Sequence, residues 1–267
     1  MAHLWHKLGM RYTSDLIDAE WDLISYCFPE PAKTGRPRKH SYRELLNACF
    51  YVARTSCQWR NVPKDLPPWG TVYHYFRQWV NSGLVERIHT HLREHVRLLE
   101  GRQRQPTAGS IDSQSVKGSE TCGERGYDAG KKINGRKRHI VVDTLGLLLM
   151  VLVLPADVQD RDGARQLLSR VFAVYGTLRC LWADAGYAGR LVLWVAGISR
   201  CVLQIVRRLA GEPGFKVLPR RWVVERTFGW LGRYRRLSRD YERRAKVAEA
   251  MVGLAMSRLM LARWVKN

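Results

Sequence analysis

A mixed β-sheet with helices on its faces, preceded by an all-helical segment, is the fold class this sequence predicts. Three observations carry that expectation. Apolar residues recur at helical spacing from about residue 13 to 100. At about residue 108 the pattern changes to short β-rich runs. From there the order reads β, β, β, α, β, α, β, α, and three leading strands followed by alternation predict a mixed α/β sheet. With 267 residues, 46% of them hydrophobic, the chain can build one large domain or two small ones around a real core. The division is placed at residue 105, giving a helical domain over 1–105 and an α/β domain over 106–267.

In the leading part, Thr13-Ser14-Asp15 is a candidate cap before Leu16, Ile17, Trp21 and Ile24. Pro29-Glu30-Pro31 breaks that helix, and the basic Gly35-Arg36-Pro37-Arg38-Lys39-His40 follows. Ser41 and Glu44 have the spacing of a capping box ahead of Leu45 and Leu46. Pro63, Pro67 and Pro68 mark a turn. Thr71 to Val80 then resumes helical spacing, with Val72, Tyr75, Phe76 and Trp79 on one face. Helix, turn and aromatic helix are compatible with a helix-turn-helix reader of DNA.

In the second part, Ile111 begins a strand. Arg138 to Asp143 and Leu147 to Leu154 are strands joined by a hairpin at Asp143-Thr144-Leu145-Gly146. Ala164 to Val174 predicts a helix, Leu178 to Trp182 a strand, Leu191 to Ala196 a helix and Cys201 to Val206 a strand. A helix from Trp222 to about Leu237 and a last one from Ala245 towards Trp264 complete the order. The Gly- and Lys-rich stretch between Val116 and Lys137 fits no element. It is expected as a long loop in which Lys131 and Lys132 can close over a phosphate backbone.

Lys and Arg total 45 against 24 Asp and Glu, a formal charge of +21. Such an imbalance points to a polyanionic partner, most often nucleic acid. The six cysteines form no C-x-x-C pair, which argues against a zinc ribbon or a redox motif and for free thiols in a reducing cytoplasm. Met1 to Met10 has no sustained apolar run, so no signal peptide is expected. The longest apolar run, Leu145 to Leu154, falls short of the roughly 20 residues a membrane span needs.

Against this basic background three acids stand out: Asp112 and Asp184 at strand-like positions, and Glu225 on an arginine-crowded helix. A phosphodiester resists attack by an oxygen nucleophile. Two divalent ions about 3.5–4 Å apart overcome this by activating the nucleophile and stabilising the leaving oxygen. Such hard ions prefer carboxylate oxygens. Adjacent parallel strands would bring Asp112 and Asp184 together at a sheet edge, and Glu225 can reach that edge from a packed helix. Arg221, Glu225, Gly229 and Gly232 share a broad face of the helix. Taken singly, each acid also reads as a surface carboxylate or an ion pair. Asp143, Asp157, Asp160 and Asp162 look more like turn and cap residues.

Several segments together resemble the insertion-sequence family five transposases. They are Ile111-Asp112-Ser113-Gln114-Ser115-Val116-Lys117, Gly126-Tyr127-Asp128-Ala129-Gly130-Lys131-Lys132, Asp143-Thr144-Leu145-Gly146, Ala183-Asp184-Ala185-Gly186-Tyr187 and Arg221-Trp222-Val223-Val224-Glu225-Arg226-Thr227-Phe228. In the leading part, Gly35 to Arg38, Cys57-Gln58-Trp59-Arg60 and Val72-Tyr73-His74-Tyr75-Phe76 look like the same proteins. The resemblance covers nearly the whole chain. It implies a ribonuclease H-like catalytic domain whose Asp-Asp-Glu site, here Asp112, Asp184 and Glu225, holds two Mg2+ or Mn2+ ions. It further implies cleavage at the element's terminal inverted repeats, transfer of the freed 3′-hydroxyl into target DNA, a homodimer or higher oligomer, and a cytoplasmic, nucleoid-associated location. The wider superfamily places Tyr and Lys around the last acid. Here Leu218 and Gly232 occupy those positions, and Arg233 or Arg235 is expected to supply the positive charge. Only residues 207–220 separate the last strand from the Glu225 helix, which leaves no room for the β-rich insertion of some relatives.

DNA contacts are expected from Arg36 and Arg38 in the minor groove, from Lys131 and Lys132, and from Arg221, Arg226, Arg233, Arg235 and Arg236 on phosphates. Trp222 and Trp230 read as core rather than as base-stacking platforms. Two other readings compete. One is a transposase-derived DNA-binding protein without catalysis. The other is a zinc peptidase built on His91-Leu92-Arg93-Glu94-His95, an H-x-x-E-H pattern.

Overall fold

The computed structural model describes residues 10–30, 35, 37–206 and 220–265. Its sheet is of the ribonuclease H-like kind. Strands β1 (Ala108–Lys117), β2 (Gly126–Asp128), β3 (Ile133–Asp143), β4 (Leu148–Pro155), β5 (Cys180–Ala183) and β6 (Val202–Ile205) form one mixed sheet. β3 lies at its centre, antiparallel to β1 on one side and to β4 and β2 on the other. β1, β5 and β6 run parallel to one another.

Helices cover both faces. On one side, α5 (Asp160–Val174) and α6 (Arg190–Ile198) bury Ile111, Val141, Leu152, Leu181 and Leu203. On the other, α7 (Trp222–Gly232) and α8 (Ala245–Trp264) cover Ile140, Val142 and Leu148. α8 is apolar almost all round, because the leading helices clothe its far side. Those helices are α1 (Asp18–Asp22), α2 (Tyr42–Thr55), α3 (Trp69–Asn81) and α4 (Leu84–Leu99). Leu45, Phe50, Phe76, Leu84 and Leu92 share one continuous core with Met251, Leu254 and the sheet. The connector around residue 105 therefore separates two patterns of secondary structure that bury a common apolar mass.

Ser41 and Glu44 form the expected reciprocal cap of α2, each side chain accepting the other's backbone N–H at 3.1 Å. Thr13 to Asp15 do not cap a helix. The Asp15 carboxylate accepts the N–H groups of Arg11 and Tyr12 instead, and α1 starts at Asp18 with Glu20 accepting the Ile17 N–H. The connection from α2 to α3 runs from Ser56 to Pro68, whereas α3 turns tightly into α4 through Ser82 and Gly83, the latter at φ +72°.

Two further differences have local causes. The stretch between Val116 and Lys137 is partly strand rather than one long loop: β1 runs to Lys117, β3 starts at Ile133, and β2 pairs with its first residues. Glycine hides this in the sequence, yet here it is required, because a Cβ on Gly135 would lie 2.0 Å from the Val116 carbonyl oxygen. Lys131 and Lys132 occupy the β2–β3 turn, Lys132 at φ +54°. The last acid's helix ends at Gly232 rather than near Leu237, since Tyr234 turns extended and buries its ring.

Two buried histidines carry a stability prediction. His139 lies against Gly163 with both ring nitrogens unpartnered, and burial lowers it to about 4. His89 is lowered to about 3 by burial and by Arg93. Both fall below the roughly 6.5 of an unfolded histidine, so the unfolded chain takes up more protons as pH drops. Their contribution is fully present above about pH 6.5 and is lost as pH falls through 4 and 3. At pH 5 the two cost about 4 kcal/mol together, roughly 10 °C of melting temperature for a chain of this size. Thermal unfolding at pH 7 and 5 measures this. His139→Gln should flatten the dependence, and a variant whose melting temperature falls from pH 7 to pH 5 as much as wild type's would contradict it, since the raised Asp112 carboxyl acts alike in both.

Candidate active site

The strand register brings the first two acids to one level. Ser110 pairs with Trp182 across the parallel β1–β5 ladder, and Asp112 and Asp184 each lie two residues further on. Asp112 faces the α7 side of the sheet, like its cross-strand partner Ile140. Each aspartate has one oxygen held by a backbone N–H: Ser113 to Asp112 Oδ1 at 2.7 Å, and Gly186 to Asp184 Oδ1 at 2.8 Å. A Cβ on Gly186 would meet that Oδ1 at 3.0 Å, which favours glycine after Asp184-Ala185.

α7 delivers the third acid and is tied down at both ends of its first two turns. Ser110 Oγ donates to the Arg220 carbonyl at 3.0 Å. Arg226 Nη2 donates to the Leu145 carbonyl at 2.9 Å, and the buried Thr227 Oγ1 to the Gly146 carbonyl at 2.8 Å. Gly146 sits at φ +79° in the Asp143-Thr144-Leu145-Gly146 turn, whose Asp143 accepts the N–H groups of Leu145 and Leu147. Two sequence motifs thus fit against each other to aim Glu225.

All three carboxylates converge on one atom. Arg221 Nη2 lies 3.7 Å from Asp112 Oδ2, 3.8 Å from Asp184 Oδ2 and 3.7 Å from Glu225 Oε1. The guanidinium stands among them and spaces them. Among the described residues no three His, Cys, Asp or Glu side chains lie close enough together to hold a metal ion in this arrangement. Three negative groups face one positive group, so the cluster lacks counter-charge. Burial pushes the Asp112 carboxyl up to about 6, with Asp184 adding to the rise, against the pull of the Ser113 N–H, Arg221 and Lys131. The donors are all hard oxygens, arranged from partly buried to open: the side chains of Asp112, Asp184 and Glu225 are 18%, 37% and 53% exposed. This set fits a divalent cation, whose charge would meet the deficit once Arg221 swings aside. A Cβ at Gly229 or Gly232 would meet nothing within 4 Å, so the solvent side of α7 next to Glu225 is open.

Beneath Asp112, on the other face of β1, lies a polar network that motif reading alone missed. Ser113 Oγ donates to Asp160 at 2.7 Å and Ser115 Oγ to Asp128 at 2.5 Å. Lys137 Nζ lies 3.1 Å from Asp160 and 3.7 Å from Asp128. Tyr187 is buried beside it, its hydroxyl without a partner. The available signal was alternation: Ser113 and Ser115 share one face of β1, and Lys137 lies opposite Ser115 on β3.

The cationic residues divide in two. Arg38, Lys131, Lys132, Arg233 and Arg235 are exposed, Arg38 stacking on Tyr42 at 3.4 Å. Arg221 faces the acids. Arg226 is clamped between Trp222 at 4.3 Å and Trp230 at 4.6 Å. Arg236 is buried and bonded to Glu242 at 2.8 Å through two nitrogens, so its charge is committed inside the fold. Arg36 and Leu218 lie outside the described residues. His91 bonds the Tyr26 hydroxyl at 2.7 Å, His95 bonds the His91 carbonyl, and Glu94 accepts from Gln105, so local partners occupy all three polar residues of the H-x-x-E-H pattern. All six cysteines are free, and among the described residues no helix is long and apolar enough to cross a membrane.

Two family profiles match this chain. One, described as "Transposase DDE domain", covers residues 103–260. The other, described as "Putative transposase of IS4/5 family", covers residues 16–89. Among curated proteins, the "Putative transposase for insertion sequence element IS402" of Burkholderia cepacia is 32% identical over 130 residues, which are 45% of this chain and 60% of that protein. "Uncharacterized protein y4sN" of Sinorhizobium fredii is 26% identical over 73 residues, 27% of this chain and 58% of that protein. The chain spans about three-fifths of the length of these relatives.

Proposed function

Because the chain belongs to the DDE-domain transposases, of the IS4/IS5 type, we propose that it cuts DNA at the ends of its own insertion sequence and joins the freed 3′-hydroxyl to target DNA. Within that type its motifs favour insertion-sequence family five. The observation that carries the reading is the convergence of Asp112, Asp184 and Glu225 on Arg221 Nη2. Divalent cations, Mg2+ or Mn2+ and two per site, would supply nucleophile activation and leaving-group stabilisation when bound.

The chain's own residues do the rest. Asp112 and Asp184 are rigid donors, each pinned through one oxygen. Glu225 is the adjustable one, on an exposed side chain whose helix is locked by Arg226 and Thr227. Arg221 holds the three acids together, and its guanidinium is also of the kind that would pair with a phosphate oxygen of bound DNA. The exposed Lys131 and Lys132 at the β2–β3 turn suit backbone phosphate, as do Arg233, Arg235 and Arg38. A homodimer or higher oligomer would pair two element ends. The testing experiment incubates the full chain with DNA carrying the sequences that flank its coding region, with Mg2+ or Mn2+. Nicks at the flanking repeats support the reading, and intact DNA under both metals contradicts it.

Binding should be steeply salt-dependent, each neutralised phosphate contributing about −0.9 to the log–log slope on duplex DNA. Replacing the exposed Arg233, Arg235 and Arg239 with Ala should flatten the slope by up to about 3. Arg236 is left in place, since its loss would strand the buried Glu242. A slope unchanged by the triple substitution would remove this surface from the DNA interface.

A further inference from the structure

Away from the acids, a cleft of about 870 Å³ opens between the leading helices and the segment after α7. Its walls carry Trp59, Trp69, Tyr73 and Tyr241 together with Arg60 and Arg243. Aromatic faces beside unpaired guanidinium groups have a chemical counterpart: a base stacks on the rings while its phosphate meets the cations. We propose that this cleft binds an unpaired nucleotide of a DNA strand.

Four observations support it. Trp69 is 41% exposed at the start of α3, which leaves part of its indole open to a ligand, and Arg60 lies 5.6 Å over its ring. Arg60 and Arg243 form no ion pair among the described residues, and the one acid lining the cleft, Glu242, is already bonded to Arg236. The cleft is therefore cationic and suits an anionic ligand. Its walls are also held rigidly. Arg136 and Arg138 reach from β3 to the carbonyls of Leu237, Glu242 and Arg243 at 2.7–3.1 Å, and Asp240 N–H bonds the Lys117 carbonyl at 2.9 Å. On the facing wall, Ser56 at φ +63° ends α2 and turns the chain into Cys57-Gln58-Trp59-Arg60, with Arg236 bridging to the Cys57 carbonyl. Finally, the volume falls within the roughly 300–1,000 Å³ of small-ligand pockets.

The proposal rests on the DNA-acting reading above, and the test separates the two. The full chain is titrated, without divalent metal, into a labelled paired duplex and into the same duplex with one bulged 2-aminopurine. The bulged duplex should bind roughly five- to hundred-fold more tightly, the range of one base–aromatic stack, and its fluorescence should be quenched. Trp69→Ala should abolish the preference and the quenching while leaving paired-duplex affinity within about two-fold. Trp69→Phe should retain both, and Arg60→Ala with Arg243→Ala should weaken the preference. Equal wild-type affinity for both duplexes overturns the cleft assignment alone, and binding to neither overturns the DNA reading with it. If Trp69→Ala weakens both probes equally, or changes the oligomeric mass in light scattering, the cleft is a duplex contact or an interface between copies and the proposal fails.

Discussion

Asp112→Asn, Asp184→Asn and Glu225→Gln are each expected to lower strand cleavage by about 10⁴ or more, the scale on which loss of one member of a catalytic unit is felt. Affinity for duplex DNA should stay within about two-fold, because the exposed cations proposed to meet phosphate, Arg233 and Arg235 among them, form no ion pair with these acids. The three substitutions should also be non-additive, since removing one donor already disrupts the shared site. Stability supplies an independent reading. The Asp112 carboxylate is nearly enclosed and short of counter-charge, so Asp112→Asn should not lower the melting temperature. A substitution that abolished cleavage by unfolding the chain would reveal itself there. Asp157→Asn is the control: Asp157 lies against Gly126 and is not among the acids that meet Arg221, so cleavage should persist. Wild-type cleavage by any of the three acid variants would remove that residue from the site.

Arg97→Ala is expected to destabilise the chain by roughly 3–5 kcal/mol, the cost of stranding a buried charge. Arg97 of α4 donates to Asp143 in the β3–β4 turn, and their side chains are 5% and 0% exposed. Asp143 also holds the turn through Leu145 and Leu147, and that turn anchors Arg226 and Thr227 of α7. A loss of this size is a large part of a typical 5–15 kcal/mol of stability. If the variant is insoluble, the double substitution Arg97→Met with Asp143→Asn tests the same point. It removes both charges and keeps a side-chain oxygen for the two turn N–H groups, so it should recover most of the loss. Urea unfolding of wild type and variants measures this. A single Arg97→Ala within 1 kcal/mol of wild type would mean the pair is not needed. Wild type should unfold in one transition, since the leading helices and the sheet share a core.

The sequence by itself determined the order of the helices and of every strand except β2, which lay in the stretch expected as a loop. Their signals are local: the Ser41–Glu44 cap, the turn at Gly146 and the apolar runs of β3 and β4 each depend on neighbours within a few residues. The acid candidates were legible as well, because carboxylates in apolar or basic surroundings are costly unless used. Glycine-rich pairing was not legible. Gly135 and Gly126 look like loop residues, yet each is demanded by a neighbour distant in sequence, the Val116 carbonyl and Asp157.

Only the tertiary structure decided which cations are free. Arg226, Arg233, Arg235 and Arg236 look alike in a basic tract, but one is clamped between two indoles, one is buried on Glu242 and two face solvent. Burial and ion pairing depend on what lies opposite in space, and Glu242 reaches Arg236 only because the chain turns at Tyr234 and is pinned by Arg136 and Arg138. The placing of Arg221 among three carboxylates was decided in the same way. Its spacing from Glu225 is an ordinary helical pair worth a few tenths of a kcal/mol. What makes it the centre of a site is the parallel register of β1 and β5, which brings Asp112 and Asp184 to the same guanidinium.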